Sequence, residues 1–362
     1  MIEIMLVVVG LAFFLLLLEV FTLGYAFIKR LKDIRRNSVD SRVEELIQDR
    51  LREEPGDWES FINKLSPREQ ASARRIVRSL LYEATDCDAV HLRRLAIDLG
   101  LEETAANQIE EGDRISRLNG LTSLTLLRSP PSVDMLCPQC QEDSLLRGAA
   151  AQALMSVHTE TAYRDALGFL FDESGEELAV IGMGVIYEVG QRAPNLLVAE
   201  IAKMTDRLSQ TELVQILYVI SELDELGVVI GAPPPWLEMA IEEKNAQVRE
   251  AAVMALRSFE PETSNQVLDS LLMAVEDENK RVRLAAARTI CDWGGEFELT
   301  RLEVRLNNEP SERVRQAIID TLLYHNHRPQ RSLSVEAKRS WVWKKELNRI
   351  PASNELSTTE TD

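Results

Sequence analysis

Val248-Arg249-Glu250-Ala251-Ala252-Val253-Met254-Ala255-Leu256 decides the fold, because the chain repeats it. It returns as Val282-Arg283-Leu284-Ala285-Ala286-Ala287-Arg288-Thr289-Ile290 and as Val314-Arg315-Gln316-Ala317-Ile318-Ile319-Asp320-Thr321-Leu322. An earlier copy is Leu146-Arg147-Gly148-Ala149-Ala150-Ala151-Gln152-Ala153-Leu154. Weaker copies start at Leu178, with Ile181, Gly182, Val185 and Ile186, and at Leu213, with Ile216, Leu217 and Ile220. Successive starts lie 32, 35, 35, 34 and 32 residues apart. Within a copy the apolar or small residues fall at i, i+3, i+4, i+7 and i+8, which is one stripe of an α-helix. Ala or Gly at i+3 and i+4 in most copies lets neighbouring helices approach closely. Between copies lies a second amphipathic segment, clearest over residues 264–275. One such helix pair has too little apolar area to fold alone, so the period predicts stacked pairs sharing a continuous core. A compact bundle would need no fixed period.

These runs resemble HEAT repeats, and more closely their short, bilin-lyase-like variant. The resemblance is carried by Val-Arg-x-Ala-Ala at 248–252 and 282–286, Val-Arg-x-Ala at 314–317 and Leu146-Arg147-x-Ala149-Ala150, and it covers residues 112–326. It implies an all-α fold, a HEAT-like α-solenoid. In that family an acidic residue ends the inter-helix turn and the Arg of the next helix stacks against it, forming a ladder. Asp143, Asp277 and Glu312 precede Arg147, Arg283 and Arg315 in this way, with Arg249 as a further rung. The copies at 178 and 213 lack the Arg, so the ladder is expected to break there. The Thr-Pro-Leu-His and Trp/Gly/Tyr patterns of ankyrin and TPR repeats are absent. The chain also resembles single-pass membrane HEAT proteins of bacteria and archaea, some of which accompany membrane glycosyltransferases.

The N-terminal end has a different character. Residues 4–28 are apolar apart from Glu19 and a few small or hydroxylated residues, long enough to span a hydrocarbon core that needs about 20 residues. Lys29, Arg30, Lys32, Arg35 and Arg36 follow, opposed only by Asp33, while the other flank carries Glu3 and no cation. That asymmetry predicts an uncleaved transmembrane helix over 1–28, N-terminus out, with the basic juxtamembrane segment 29–36 and all that follows cytoplasmic. A carboxylate at the depth of Glu19 costs about 2.5–3.5 kcal/mol on insertion scales, so Glu19 is a candidate contact with another membrane protein. The basic collar doubles as a candidate lipid contact.

A helical region is expected over 37–111. Within it Ser66-Pro67-Arg68-Glu69 reads as a helix start, with Ser as N-cap and Glu three residues on. Gly100 reads as a helix C-cap. Beyond the solenoid, residues 327–350 read as a basic, Trp-containing terminal helix opened by Ser334. Trp341 and Trp343 suit a membrane interface, a partner groove or a cap over the end of the repeats. The polar segment 351–362 is expected to be disordered.

The net charge is −18, with 41 Lys and Arg against 59 Asp and Glu. Residues 29–36 alone carry +4, which leaves −22 for the rest. That balance excludes nucleic acid as the main partner, since phosphate binding needs concentrated positive charge. Aromatics are scarce at 6%, which favours helices on helices. Four Cys in such a length make no disulfide scaffold. Cys137-Pro138-Gln139-Cys140 lacks the βαβ context of a redox motif, and a zinc site there would have to recruit Cys87 and His91. Cys291 is expected in the core, and His325 and His327 in a loop. Gly182-Met183-Gly184 sits inside a repeat helix and reads as close packing, not as a phosphate loop. No catalytic constellation stands out, and neither cofactor nor metal is expected. The resulting expectation is a membrane-anchored scaffold that binds proteins through outward positions such as Glu250 and Arg257. A bilin-lyase-like enzyme and a self-assembling membrane scaffold are the alternatives.

Overall fold

Ser66 opens a helix as its sequence predicts: its hydroxyl accepts from the Glu69 amide, and the Glu69 carboxylate accepts from the Ser66 amide at 2.9 Å. Such local rules hold throughout the computed structural model, which describes residues 39–52, 58–84, 86–136, 138–171, 177–261 and 265–347. The described residues are helical, with no strand; one isolated parallel bridge joins Ile230 and Phe259. The chain divides into two compact units between Met135 and Leu136.

The first unit contains α1 (39–52), α2 (Trp58–Lys64), α3 (Pro67–Glu83), α4 (Asp86–Asp98), α5 (Leu101–Glu111) and α6 (Arg114–Leu127). Val43, Ile47, Trp58, Val77, Leu92, Leu95 and Leu127 meet in its core. Gly100 has φ +74°, the left-handed conformation that a C-cap requires, so α4 ends there and α5 begins at once. Arg74, Arg93 and Arg117 donate to the carbonyls of Leu99, Leu126 and Ile109, satisfying helix ends that have no intrahelical partner. Helix α6 packs on α5, α3 and α4. The structure therefore divides at 135/136, beyond the boundary at 111/112 that the repeat pattern suggests.

The second unit is the repeat array. Its helices are α7 (Pro138–Glu142), α8 (Ser144–Leu154), α9 (Glu160–Leu170), α10 (Val180–Arg192), α11 (Pro194–Met204), α12 (Gln210–Glu225) and α13 (Pro235–Ile241). They continue as α14 (Ala246–Ala255), α15 (Asn265–Val275), α16 (Lys280–Trp293), α17 (Glu296–Asn308), α18 (Glu312–Tyr324) and α19 (Val335–Leu347). Each sequence copy forms or spans the start of one helix of a single row. Along that row α8, α10, α12, α14, α16 and α18 each pack on the next. The intervening helices form a second row, in which α13 meets α15, α15 meets α17, and α17 meets α19. The stripe positions fill the space between rows: Val248, Ala251, Ala252, Ala255 and Leu256 are fully buried, as are Val282, Ala286 and Ile290. Removing each such Val, Leu or Ile side chain from water stabilises by about 1.5–3 kcal/mol, each Ala by less, and stacking makes that burial continuous.

Small residues set how closely the row packs. A Cβ on Gly148 of α8 would lie 2.7 Å from the backbone nitrogen of Gly182 in α10. Gly182-Met183-Gly184 thus serves helix approach at Gly182, while Gly184 faces open space. Among the described residues no helix is long and apolar enough to cross a membrane. The predicted span over 1–28, with Glu19, and the collar of Lys29, Arg30, Lys32, Arg35 and Arg36 lie outside the described residues, as does the segment 351–362.

Candidate functional site

A surface that binds other proteins must first be held in shape, and a regular set of arginines does this along the repeat row. Four copies carry Arg at their second position, and each such Arg turns back onto the turn before its own helix. Arg147 donates to the Gln141 carbonyl at 3.0 Å, Arg249 to those of Glu243 and Lys244 at 2.8 Å each. Arg283 donates to Asp277 and Glu278 at 2.7 and 3.0 Å, and Arg315 to Glu309 at 2.6 Å. One guanidinium edge is therefore spent on carbonyls that no helix satisfies.

In the copies at 248 and 282 the other edge points forward to the next repeat. Arg249 grips both carboxylate oxygens of Asp277, at 2.7 and 3.0 Å. Arg283 grips both oxygens of Glu309, at 2.8 Å each. Asp277 in turn accepts from the Asn279 amide and Glu309 from the Ser311 amide, so each carboxylate closes a turn as well as an ion pair. Arg305 is a second cation on Glu309, donating Nε and a terminal nitrogen to Oε2 at 3.0 Å each. Burial pushes the carboxyls of Asp277 and Glu309 up, but the arginine hydrogen bonds, the Asn279 and Ser311 amides and the nearby positive charge together outweigh it and hold both below the ordinary range. The bond to Glu309 raises Arg283 above its usual value.

This register differs in part from the expected one. The two acids that receive the preceding Arg, Asp277 and Glu309, each sit six residues before the Arg of their own copy. Asp277 fits. Asp143 does not: it is the N-cap of α8, accepting from the Leu145 and Leu146 amides, the role that Asn245 and Asn279 play for α14 and α16. Glu312 does not fit the register either, yet its carboxylate pairs with Arg315 as expected. It lies in the first turn of α18 and accepts from the Ser340 hydroxyl of α19 at 3.1 Å. Glu309 was passed over because Glu312 stands nearer the repeated motif; the fixed spacing to the Arg was the signal that finds it.

Where the Arg is missing, a different stitch replaces it. Gln215 of α12 accepts from the Leu178 amide at 2.9 Å and donates to its carbonyl at 3.1 Å. A further set of bonds runs from one helix of the row to the one before it. The buried hydroxyls of Thr289 and Thr321 donate to the carbonyls of Val253 and Ala287, at 3.0 and 2.7 Å. His325 Nε2 lies 2.8 Å from the Cys291 carbonyl, and His327 Nε2 lies 3.1 Å from Glu303, whose other oxygen accepts from the Arg331 amide. Both histidines thus fix the loop after α18. Cys291 is half-buried, and burial raises its thiol.

On the exposed face, Glu250 is half-buried beside Tyr218 and Arg281, and burial raises its carboxyl while Arg281 pulls the other way. Arg257 bridges Asp224 at 2.9 Å and Asp292 at 3.1 Å, tying the ends of α12 and α16 together. In α19 it is Ala337 and Ser340 that face inward; Trp341 is half-buried and Trp343 is 54% exposed. The helix packs on α18 and α17, so the end of the array is covered without Trp343. Of the cysteine motif, Cys140 is fully buried in α7, whereas Cys137 and the side chain of Cys87 lie outside the described residues. Among the described residues no group of three or more His, Cys, Asp or Glu could hold a metal ion.

Residues 233–322 match the family described as HEAT repeats, which takes in α13 to α16, α17 and most of α18. A comparison with curated proteins returns no match. With the stacked rows, the family match supports a HEAT-type helical repeat scaffold, an architecture that generally mediates protein–protein interaction.

Proposed function

We propose that the chain is a membrane-anchored helical-repeat scaffold that holds partner proteins at the cytoplasmic face of the membrane and acts by binding, not by catalysis. The observation that carries this reading is the row of α14, α16 and α18 locked by forward-reaching rungs, Arg249 to Asp277 and Arg283 to Glu309, which presents a fixed surface at low entropic cost. The apolar run over 4–28 and the five cations between Lys29 and Arg36 support the anchor and its orientation. Confinement to the bilayer raises the effective concentration of the array towards a client in the same membrane. The client class that suits this arrangement is an integral membrane enzyme, in its narrowest form a glycosyltransferase.

Affinity purification of the full-length chain from detergent-solubilised membranes, with identification of what co-elutes, tests the scaffold. An integral membrane protein is expected; its absence with full-length bait overturns the reading. Protease added to intact spheroplasts tests orientation, since digestion of the repeat array from outside contradicts a cytoplasmic placement. Glu19→Leu tests the intramembrane contact: if partner recovery and oligomerisation are both unchanged, Glu19 makes none.

A further inference from the structure

The second unit carries a groove of about 590 Å3 whose walls come from the turn after α14 and from α16, α18 and α19. Its chemistry departs from that of the chain as a whole. Arg257, Arg288, Arg313 and Lys344 line it against two carboxylates, Asp292 and Asp320, in a protein whose net charge is −18. The carboxylates are already engaged: Asp292 pairs with Arg257 at 3.1 Å and Asp320 with Lys344 at 2.9 Å. Arg288 and Arg313 are exposed, and among the described residues neither has an ion pair or a hydrogen bond. Two guanidinium groups therefore stand over the groove with their donors uncommitted, whereas Arg249, Arg283 and Arg315 are consumed by the ladder.

The groove also holds an aromatic anchor. Tyr324 is 72% exposed, yet its ring is not loose: it meets the His325 ring edge-on with centroids 5.2 Å apart. His325 is itself fixed to the Cys291 carbonyl at 2.8 Å. Tyr and Arg are both enriched among the residues that carry binding energy at protein interfaces, and a braced Tyr gives large contact at low entropic cost.

We propose that this groove between α16, α18 and α19 docks an extended acidic segment of a partner protein, its carboxylates on Arg288 and Arg313 and an apolar side chain against Tyr324. The proposal rests on the scaffold reading and names the chemistry of its partner. Arg forms bidentate bonds with carboxylates, so two uncommitted guanidiniums select a peptide with spaced acids. The engaged carboxylates Asp292 and Asp320 flank the same site and disfavour a polyanion of dense charge, which argues for a peptide over a nucleic acid.

Fluorescence anisotropy of a fluorescein-labelled peptide alternating Glu and Leu, titrated with the full-length chain in mild detergent, tests this. Saturable binding is expected, weakening as salt rises from about 0.05 M to about 0.5 M. Arg288→Glu with Arg313→Glu should lose about tenfold or more in affinity, and Arg288→Gln with Arg313→Gln should lose less. Lys280→Glu with Arg301→Glu makes the same change in net charge outside the groove and should leave binding unchanged. No binding, equal loss in both charge-reversal pairs, or tighter arginine-dependent binding of a labelled single-stranded DNA overturns the proposal. If the peptide fails while full-length bait still recovers a membrane protein, only the groove assignment falls. If no membrane protein is recovered either, the scaffold reading falls with it.

Discussion

Arg283 and Glu309 form the tightest rung of the array: both guanidinium contacts are 2.8 Å, and the Glu309 side chain is fully buried. The pair joins α16 to the turn before α18, so it acts between repeats and not within one. Taking one partner away leaves a buried charge without compensation, which costs about 3–5 kcal/mol, whereas exchanging both for apolar groups costs far less. Glu309→Gln should therefore lower stability by a few kcal/mol in denaturant unfolding. Glu309→Leu combined with Arg283→Met should be less destabilising than the sum of the two single changes. Additive losses would show that the two residues do not act as a pair.

The same rungs give the array an acid limit. Asp277, Glu303 and Glu309 are each held below the ordinary carboxylate range in the folded chain, against the upward push of burial. A carboxyl depressed on folding contributes stability that is present above its unfolded value and is lost as pH falls through the folded value. With unfolded values of about 4, stability should hold at neutral pH and decline from about pH 4 downward. Thermal melts followed by circular dichroism between neutral pH and pH 3 check this. Glu309→Gln should fall less steeply with acid than the wild type, because one linked group has been removed.

The helices of the row could be read from the sequence because the stripe repeats identical chemistry at identical spacing, as at Ala251, Ala252, Ala285 and Ala286. The rungs were only half legible. Arg249, Arg283 and Arg315 sit within the repeated motif, but their acceptors lie in turns of varying sequence, where Asp277 and Glu309 share a spacing and no surrounding pattern. Asp143 misled because a helix N-cap and a turn acid are both acidic residues just ahead of a helix. The hydroxyl bonds of Thr289 and Thr321 were hidden for another reason: Thr at i+7 reads as a small stripe residue, and its carbonyl partner belongs to the previous repeat. The groove was illegible because Arg288, Arg313, Tyr324 and Lys344 come from three helices and become one site only when the repeats stack.

Close approach at Gly148 makes a second stability prediction. A Cβ there would stand 2.7 Å from the Gly182 nitrogen and 3.2 Å from its Cα, both backbone atoms that cannot rotate aside. Gly148→Ala should force α8 and α10 apart and cost about 1–3 kcal/mol, although Ala is the better helix former. Gly184→Ala is the control: it meets nothing within 4 Å and should leave stability unchanged or raise it by about 0.5–1 kcal/mol. Chemical denaturation of both variants measures the difference, and a harmless Gly148→Ala would refute the close contact.

Thr321 offers a test of the interhelical hydroxyl bonds. It is buried, and its hydroxyl donates to the Ala287 carbonyl at 2.7 Å instead of to its own helix. Thr321→Val keeps the shape and removes the donor, so the expected cost is about 1 kcal/mol. Thr300→Val should be neutral by comparison, since that hydroxyl is exposed and bonds the Glu296 carbonyl within α17. Equal effects at the two sites would assign no value to the bond between helices.

The uneven ladder predicts where the array opens first. In stacked repeats, stability is approximately a sum of unit terms and nearest-neighbour interface terms. The α14–α16 and α16–α18 interfaces each carry an Arg–carboxylate fork and a Thr–carbonyl bond, whereas α10 and α12 are joined by Gln215 bonding Leu178. Helix α16 shares in both of the reinforced interfaces, and α19 covers α18 beyond it. Amides of α10 and α12 should therefore exchange with deuterium well before those of α16, because regional opening free energies track the interactions that must break. Glu309→Gln should speed exchange in α16 and α18 while leaving α10 nearly unchanged, narrowing the gap from one side only. Uniform exchange along the row, or acceleration that spreads equally to α10, would mean that the array opens as one cooperative block and that the rungs do not grade its stability.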